Sequence, residues 1–345
     1  MNTDENINLC LNHHQSHSIT YLRRPYSHNN SHNMQKIKPV GWFGLGSMGL
    51  PMAINLQKKL QSHGANLTFS NRTVSKGAAL VEAGAVAKNN IVEVAQICDD
   101  IFTMVSADAV LQSLVKELLA SGIDLNGKTF IDCSTIHPDT AGSVSETLQK
   151  AGATFIAAPV FGANPVAQAG RLIFAMAGPM AAIERLEPLI VDVMGRKVIN
   201  MGEDVKKAPM LKVTGNVLLV VFLEAIAETQ VLAEQNGIGS NVMEDLIFEN
   251  FGPVLGSYSR RMTSGSWAPK EGTAGFLVSN TIKDAKHALR VANDLGVRMP
   301  ALDIATNNML SARAYGGENL DGAALYGTLR SQSGLPFWSE NSRQE

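Results

Sequence analysis

Val40-Gly41-Trp42-Phe43-Gly44-Leu45-Gly46-Ser47-Met48-Gly49 is the stretch that decides the fold. A short apolar run ends in G-x-G-x-x-G, and the loop opens an amphipathic pattern over Met48–His63. Strand, glycine loop and helix in that order are what give the motif meaning. The first glycine permits a tight turn, the second lets backbone N–H groups approach a pyrophosphate, and the third packs helix on strand. Phosphates then sit at the positive helix end. The loop therefore predicts a dinucleotide site made by Gly44, Leu45, Gly46, Ser47, Met48 and Gly49.

Around the loop, Leu67–Ser70, Ile101–Val105, Phe130–Asp132, Phe155–Ala157 and Leu172–Met176 also read as buried strands. Between them lie the helical patterns Ser75–Glu82, Ala109–Leu119 and Asp139–Ala151, and Gly64, Gly84 and Gly152 stand where helices end. The alternation predicts an α/β fold, a Rossmann doubly wound parallel sheet over 38–202. Beyond Met201 the strand signals stop. A long helical pattern, Leu211–Gln235, leads into Met243–Asn250 and Thr281–Leu295, so 203–335 is expected to be all helical and joined to the sheet by a long helix. The run Val217–Leu223 is apolar all round and is expected to be buried on every side. Residues 336–345 read as a C-terminal tail.

Residues 1–37 differ: they hold five of the eight histidines, seven asparagines and no apolar periodicity. They read as a disordered extension, with a metal site at His13, His14 and His17 as the lesser alternative, and Met34 as a candidate start. The 345 residues suit roughly two domains at ~150 residues each. A net charge of −2 gives no footprint for nucleic acid or an anionic membrane. Val213–Leu223 is too short a run to cross a bilayer. Cys10, Cys98 and Cys133 lie far apart without zinc spacing, which suits a reducing, cytoplasmic setting, and a mitochondrial presequence is only weakly patterned.

The second strand ends in Asn71-Arg72-Thr73, where an NAD site would usually place an acid. A cation and a hydroxyl suit a 2′-phosphate, so NADP(H) is expected over NAD(H). Val105 and Ser106, after the Ile101–Val105 strand, join the expected cofactor set.

Several further segments resemble the β-hydroxyacid dehydrogenase family, which includes 3-hydroxyisobutyrate dehydrogenases and glyoxylate/succinic semialdehyde reductases. The family's G-x-G-x-M-G is matched by Gly44–Gly49. Its D-x-S-T-I-x-P-x-T segment is matched by Asp132, Ser134, Thr135, Ile136, Pro138 and Thr140. Its D-A-P-V-S-G-G loop appears as Ala157-Ala158-Pro159-Val160-Phe161-Gly162-Ala163, followed by Ala167, Gly170 and Leu172. Its K-x-x-N-N appears as Lys212-Val213-Thr214-Gly215-Asn216, and its late G-F and K-D as Gly275-Phe276 and Lys283-Asp284. The resemblance runs from about 38 to 326 and implies hydride exchange between NADP(H) and a small hydroxy acid or aldehyde. The departures, Ala157, Phe161, Ala163, Gly215 and an approach to the catalytic helix that is longer by one residue (Gly202 to Lys207), all lie on the substrate side.

In that chemistry the protein must give or take a proton at the carbonyl oxygen, and an ammonium both polarises and donates. Lys212 is the candidate, with Asn216 one helical turn on, although periodicity alone reads Lys212 as a solvated helix lysine. Ser134 and Thr135 follow a strand's carboxyl end and offer hydroxyls to substrate or nicotinamide, or cap the next helix. Gly162 and Ala163 offer backbone N–H groups to a substrate carboxylate, as the resemblance implies, and Phe161 an apolar face. Lys283 is either a second cation at the cofactor or a surface lysine. Two other functions stay open: imine reduction, whose enzymes replace the lysine, and a non-catalytic binding module of the same fold. A homodimer or larger homo-oligomer is expected through the helical half.

Overall fold

The computed structural model describes residues 38–272 and 274–344, so the expectations for 1–37 lie outside the described residues. The first half alternates strand and helix: β1 (Val40–Phe43), α1 (Gly49–Gln61), β2 (Thr68–Ser70), α2 (Ala78–Glu82), β3 (Val86–Ala87), α3 (Ile91–Ile97), β4 (Asp100–Thr103), α4 (Asp108–Ala120), β5 (Thr129–Asp132), α5 (Pro138–Lys150) and β6 (Thr154–Ala157). The strands form one six-stranded sheet in the order β3-β2-β1-β4-β5-β6, every pairing parallel. The order reverses beside β1, so the loops after β1, β4 and β5 open on the crevice where such sheets bind ligands. Trp42, Phe69, Phe102 and Ile131 fill the layers between sheet and helices.

The expected strand Leu172–Met176 exists but leaves this sheet. It is β8 of a second, three-stranded sheet with β7 (Val160–Phe161) and β9 (Gly195–Asn200), and helices α6 (Asn164–Gln168) and α7 (Met180–Leu186) fill the gaps. β7 runs antiparallel to β8, and β9 runs parallel to it. An antiparallel bridge between Ala157 and Ala177 hinges the small sheet onto the end of β6. The chain leaves the parallel layer at Ala158-Pro159, between β6 and β7, where the Pro159 carbonyl accepts from the Ala175 N–H of β8.

The second half is helical: α8 (Lys207–Gln235), α9 (Ser240–Thr263), α10 (Val278–Asp294), α11 (Pro300–Gly316) and α12 (Leu325–Gln332). By length and apolar content α8 could cross a bilayer. Instead it packs against α9, α10, α11 and α12, with Val213, Val220, Leu223 and Val231 in their shared core. Its Val217–Leu223 run is not buried all round, because Leu218 and Phe222 face outward. α9 kinks at Gly252, whose φ of 83° breaks the helix just before Pro253. The expected C-terminal tail packs onto the body: Phe337 is buried, and Trp338 stacks on Trp267 at 5.8 Å.

Candidate active site

The glycine loop divides its labour as backbone sterics require. Gly44 has φ of 103°, and a Cβ there would lie 2.1 Å from the Met104 carbonyl oxygen. A Cβ on Gly49 would lie 2.0 Å from the Gly44 oxygen, so α1 sits directly against the turn. A Cβ on Gly46 would meet nothing within 4 Å: it would stand in open space over the start of α1. No side chain caps that helix end, and within its first turn the Leu50 N–H donates to the Gly46 carbonyl at 3.1 Å. A loop closed at its two outer glycines and open at the middle one fits a pyrophosphate.

Asn71 directly follows β2, as expected, and reaches the glycine loop. Its Oδ1 accepts from the Leu45 N–H at 2.9 Å and its Nδ2 donates to the Thr73 carbonyl at 2.8 Å. The side chain staples the turn after β2 to the glycine loop. Arg72 and Thr73 stay exposed beside it.

At the ends of β4 and β5 a buried network fixes the floor. Thr103 and Ser134 hydroxyls both donate to Asp132 Oδ1 at 2.7 Å, and the Val105 N–H donates to Ser134 Oγ at 2.8 Å. Ser134, expected at the substrate, is buried and committed on both sides, so it ties the two strand ends together. Burial raises the Asp132 carboxyl to about 6 against those two hydroxyls, and its Oδ2 is buried without a partner. Ser106 remains exposed and Thr135 half-buried at the mouth.

The helical half brings its own cluster. Lys212 Nζ donates to Asn216 Oδ1 at 3.0 Å, and Asn216 Nδ2 donates to Asp284 Oδ2 at 2.8 Å. The carboxylate can only accept, so the amide must turn its oxygen toward Lys212. Asp284 Oδ1 pairs with Lys283 Nζ at 2.9 Å, and Lys283 also donates to the Thr135 carbonyl. Lys283 thus locks α10 to the end of β5. Burial lowers the Lys212 ammonium to about 8; Asp284 opposes the shift and Lys283 adds to it. The Phe161 ring centroid lies 4.6 Å from Lys212 Nζ.

The structure therefore brings Lys212, Asn216, Phe161, Lys283 and Thr135 into one chain of contacts, which Arg72 and Thr73, exposed after β2, do not join. Gly162 and Ala163 lead from β7 into α6, whose Asn164 amide donates to the Ser47 carbonyl of the glycine loop. Asp284, Asp132 and Asn164 were not among the expected site residues. Asp284 was visible as the neighbour of Lys283, whereas the roles of Asp132 and Asn164 arise only from tertiary contacts. Among the described residues, no three His, Cys, Asp or Glu side chains gather as a metal site.

A dinucleotide cradle at the carboxyl ends of a parallel sheet, facing a shielded ammonium, defines a nicotinamide-dependent oxidoreductase. The profile for the NAD binding domain of 6-phosphogluconate dehydrogenase matches residues 39–202. That for the NAD-binding domain of NADP-dependent 3-hydroxyisobutyrate dehydrogenase matches 207–329. An uncharacterized oxidoreductase of Bacillus subtilis is 32% identical over 289 residues, covering 83% of this chain and 98% of that one. Glyoxylate/succinic semialdehyde reductase 1 of Arabidopsis thaliana is 30% identical over 293 residues, covering 83% and 96%. A solved 3-hydroxyisobutyrate dehydrogenase of Mycobacterium tuberculosis with L-serine superposes with a TM-score of 0.71 at 25% identity, covering 85% and 99%. The chain belongs to the β-hydroxyacid dehydrogenase family and is an NAD(P)-dependent oxidoreductase of the hydroxy acid dehydrogenase/reductase type.

Proposed function

We propose that the chain is an NADP(H)-preferring reductase of small carbonyl compounds in which Lys212 supplies the proton. The observation that carries this reading is the Lys212–Asn216–Asp284 chain, which aims a shielded ammonium whose proton is unusually labile. When bound, the nicotinamide supplies or accepts the hydride. Lys212 meets the negative charge that develops on the carbonyl oxygen and gives up its proton there; in the reverse direction its neutral amine takes the proton back. Asn216 holds the ammonium in place, and Asp284 holds the amide. Gly44–Gly49 would hold the pyrophosphate, and Arg72 with Thr73 a 2′-phosphate. Val105, Ser106 and Thr135 would border the nicotinamide, with Ser134 supporting them from beneath. Gly162 and Ala163 offer N–H groups on the substrate side.

The Arabidopsis relative acts, by its name, on glyoxylate and succinic semialdehyde, and small aldehydes of that kind are the first substrates to try. The test is NADPH consumption over a panel of small aldehydes, oxo acids and cyclic imines, by wild type and Lys212→Ala. Carbonyl reduction that collapses in the variant while NADPH binding stays intact supports the reading. Turnover of imines alone, or turnover that survives the loss of Lys212, refutes it.

A further inference from the structure

Two of the sequence departures, Phe161 and Gly215, come from separate segments: β7 of the small sheet and the third turn of α8. In the fold they touch. A Cβ on residue 215 would stand 2.7 Å from Phe161 Cε1 and 3.3 Å from Cζ. Both residues are half-buried, and the same ring lies 4.6 Å from Lys212 Nζ. Any side chain at 215 would have to push the ring off the ammonium. The bare Cα is the space that the ring occupies.

We infer that Phe161 and Gly215 act as one specificity element: the ring, admitted because residue 215 has no side chain, walls the Lys212 ammonium with an apolar face. The enzyme then takes carbonyl compounds whose substituent is an uncharged alkyl or aryl group in preference to those whose substituent carries a carboxylate. The inference rests on the reading of Lys212 as the proton donor. Charge supports it. Lys283, the other cation of the cluster, is already paired with Asp284 and bound to the Thr135 carbonyl, so it has no free charge for a substrate carboxylate. Gly162 and Ala163 can offer N–H groups but no charge. Against the ring, an alkyl or aryl group gains apolar contact, whereas a carboxylate there would lose water and meet only the Lys212 ammonium, whose proton the reaction needs.

The test compares wild type, Phe161→Ala, Gly215→Ala and the double variant. Each is assayed with isobutyraldehyde and phenylacetaldehyde against glyoxylate and succinic semialdehyde. Wild type should favour the apolar aldehydes, and Phe161→Ala should shift the kcat/KM ratio toward the carboxylates by roughly 10–100-fold. Gly215→Ala should lower kcat/KM for the apolar aldehydes about tenfold but cost nothing further once Phe161 is already truncated, the non-additivity of two residues in contact. Effects that multiply independently, or a wild type that prefers the carboxylates, overturn the inference. Two readouts need no turnover. Gly215→Ala should lower Tm in the wild-type background and raise it in the Phe161→Ala background, where the helix preference of alanine is no longer opposed by the ring. Phenylacetamide should bind the NADP+-loaded protein more tightly than oxamate. If neither aldehyde class reacts while NADPH binds normally, the proton-donor reading fails, and these two readouts still decide the Phe161–Gly215 element.

Discussion

At Lys212 a single proton controls the direction of the reaction. Burial lowers the ammonium to about 8, so it is charged at neutral pH yet close to release. Reduction needs the charged form and should decline as pH rises through about 8, whereas oxidation needs the neutral amine and should climb through the same window. Lys212→Ala should lose turnover by ~10²–10⁴-fold, and a permanently charged arginine should restore little. Single-turnover hydride transfer with parallel cofactor titration checks this; near-normal transfer would remove Lys212 from the mechanism. Asp132 titrates in the opposite sense. Its carboxyl is raised from 3.8 to about 6, so between those values the folded state holds a proton that the unfolded chain has released. Its contribution to stability is therefore present at acid pH and lost as pH rises through the window. Relative to wild type, Asp132→Asn should gain Tm from about pH 4 to pH 6 and then level off; a constant difference would contradict this. Spacing showed the Lys212–Asn216 pair, four residues apart on one helix face, but not the burial that makes its proton labile. Lys206, Lys207 and Lys212 look alike in the sequence at the start of α8, and what distinguishes Lys212 is its burial beside Asn216 and the Phe161 ring.

The glycine loop shows how far an element can be read from its letters. Strand, loop and helix were legible because the apolar run, the three glycines and the helical period agree. The two-residue strands β3 and β7 are too short to carry a period, and β9, Gly-Arg-Lys-Val-Ile-Asn, is half polar along an exposed edge, so all three escaped the pattern. The sequence also could not show that β8 pairs outside the main sheet, since a buried strand reads the same in either layer. Within the loop, position separates folding from binding. Gly44→Ala forces a Cβ against the Met104 carbonyl at a positive φ and should destabilise or unfold the protein. Gly46→Ala meets no protein atom, so Tm should hold within a few degrees while NADPH affinity falls at least tenfold, because the added methyl stands where phosphate must approach. Thermal melts and fluorescence titration of the two variants give the comparison, and equal loss of Tm in both would refute the division. Arg72→Ala should raise the NADPH KM roughly tenfold, as expected for loss of a charged hydrogen bond, and leave NADH use nearly unchanged.

Across the whole molecule, the sheet half holds the dinucleotide loop and the helical half carries the ammonium, so both must be held in register. α10 does this at three points: Lys283 to the Thr135 carbonyl, His287 to Asp108 at 2.9 Å, and Arg290 to Asp139 at 3.4 Å. α8 and α9 leave several large apolar side chains exposed. Leu218 and Phe222 stand one turn apart on α8, and Val242, Leu246, Phe251 and Val254 line α9, with Phe251 61% and Val254 62% exposed. Monomeric proteins rarely leave a continuous apolar surface of more than a few hundred Å² open to water. We therefore expect two copies to cover it, by a symmetric contact in which α8 and α9 meet their counterparts. A specific contact of this kind buries about 800 Å² per partner, within reach of two such helices. Light scattering at micromolar concentration should give a dimer or a larger even assembly. Leu246→Glu with Phe251→Asp should shift the mass toward the monomer while NADPH binding persists, because neither residue approaches the glycine loop. A monomeric wild type would mean that the apolar face serves something other than a second copy.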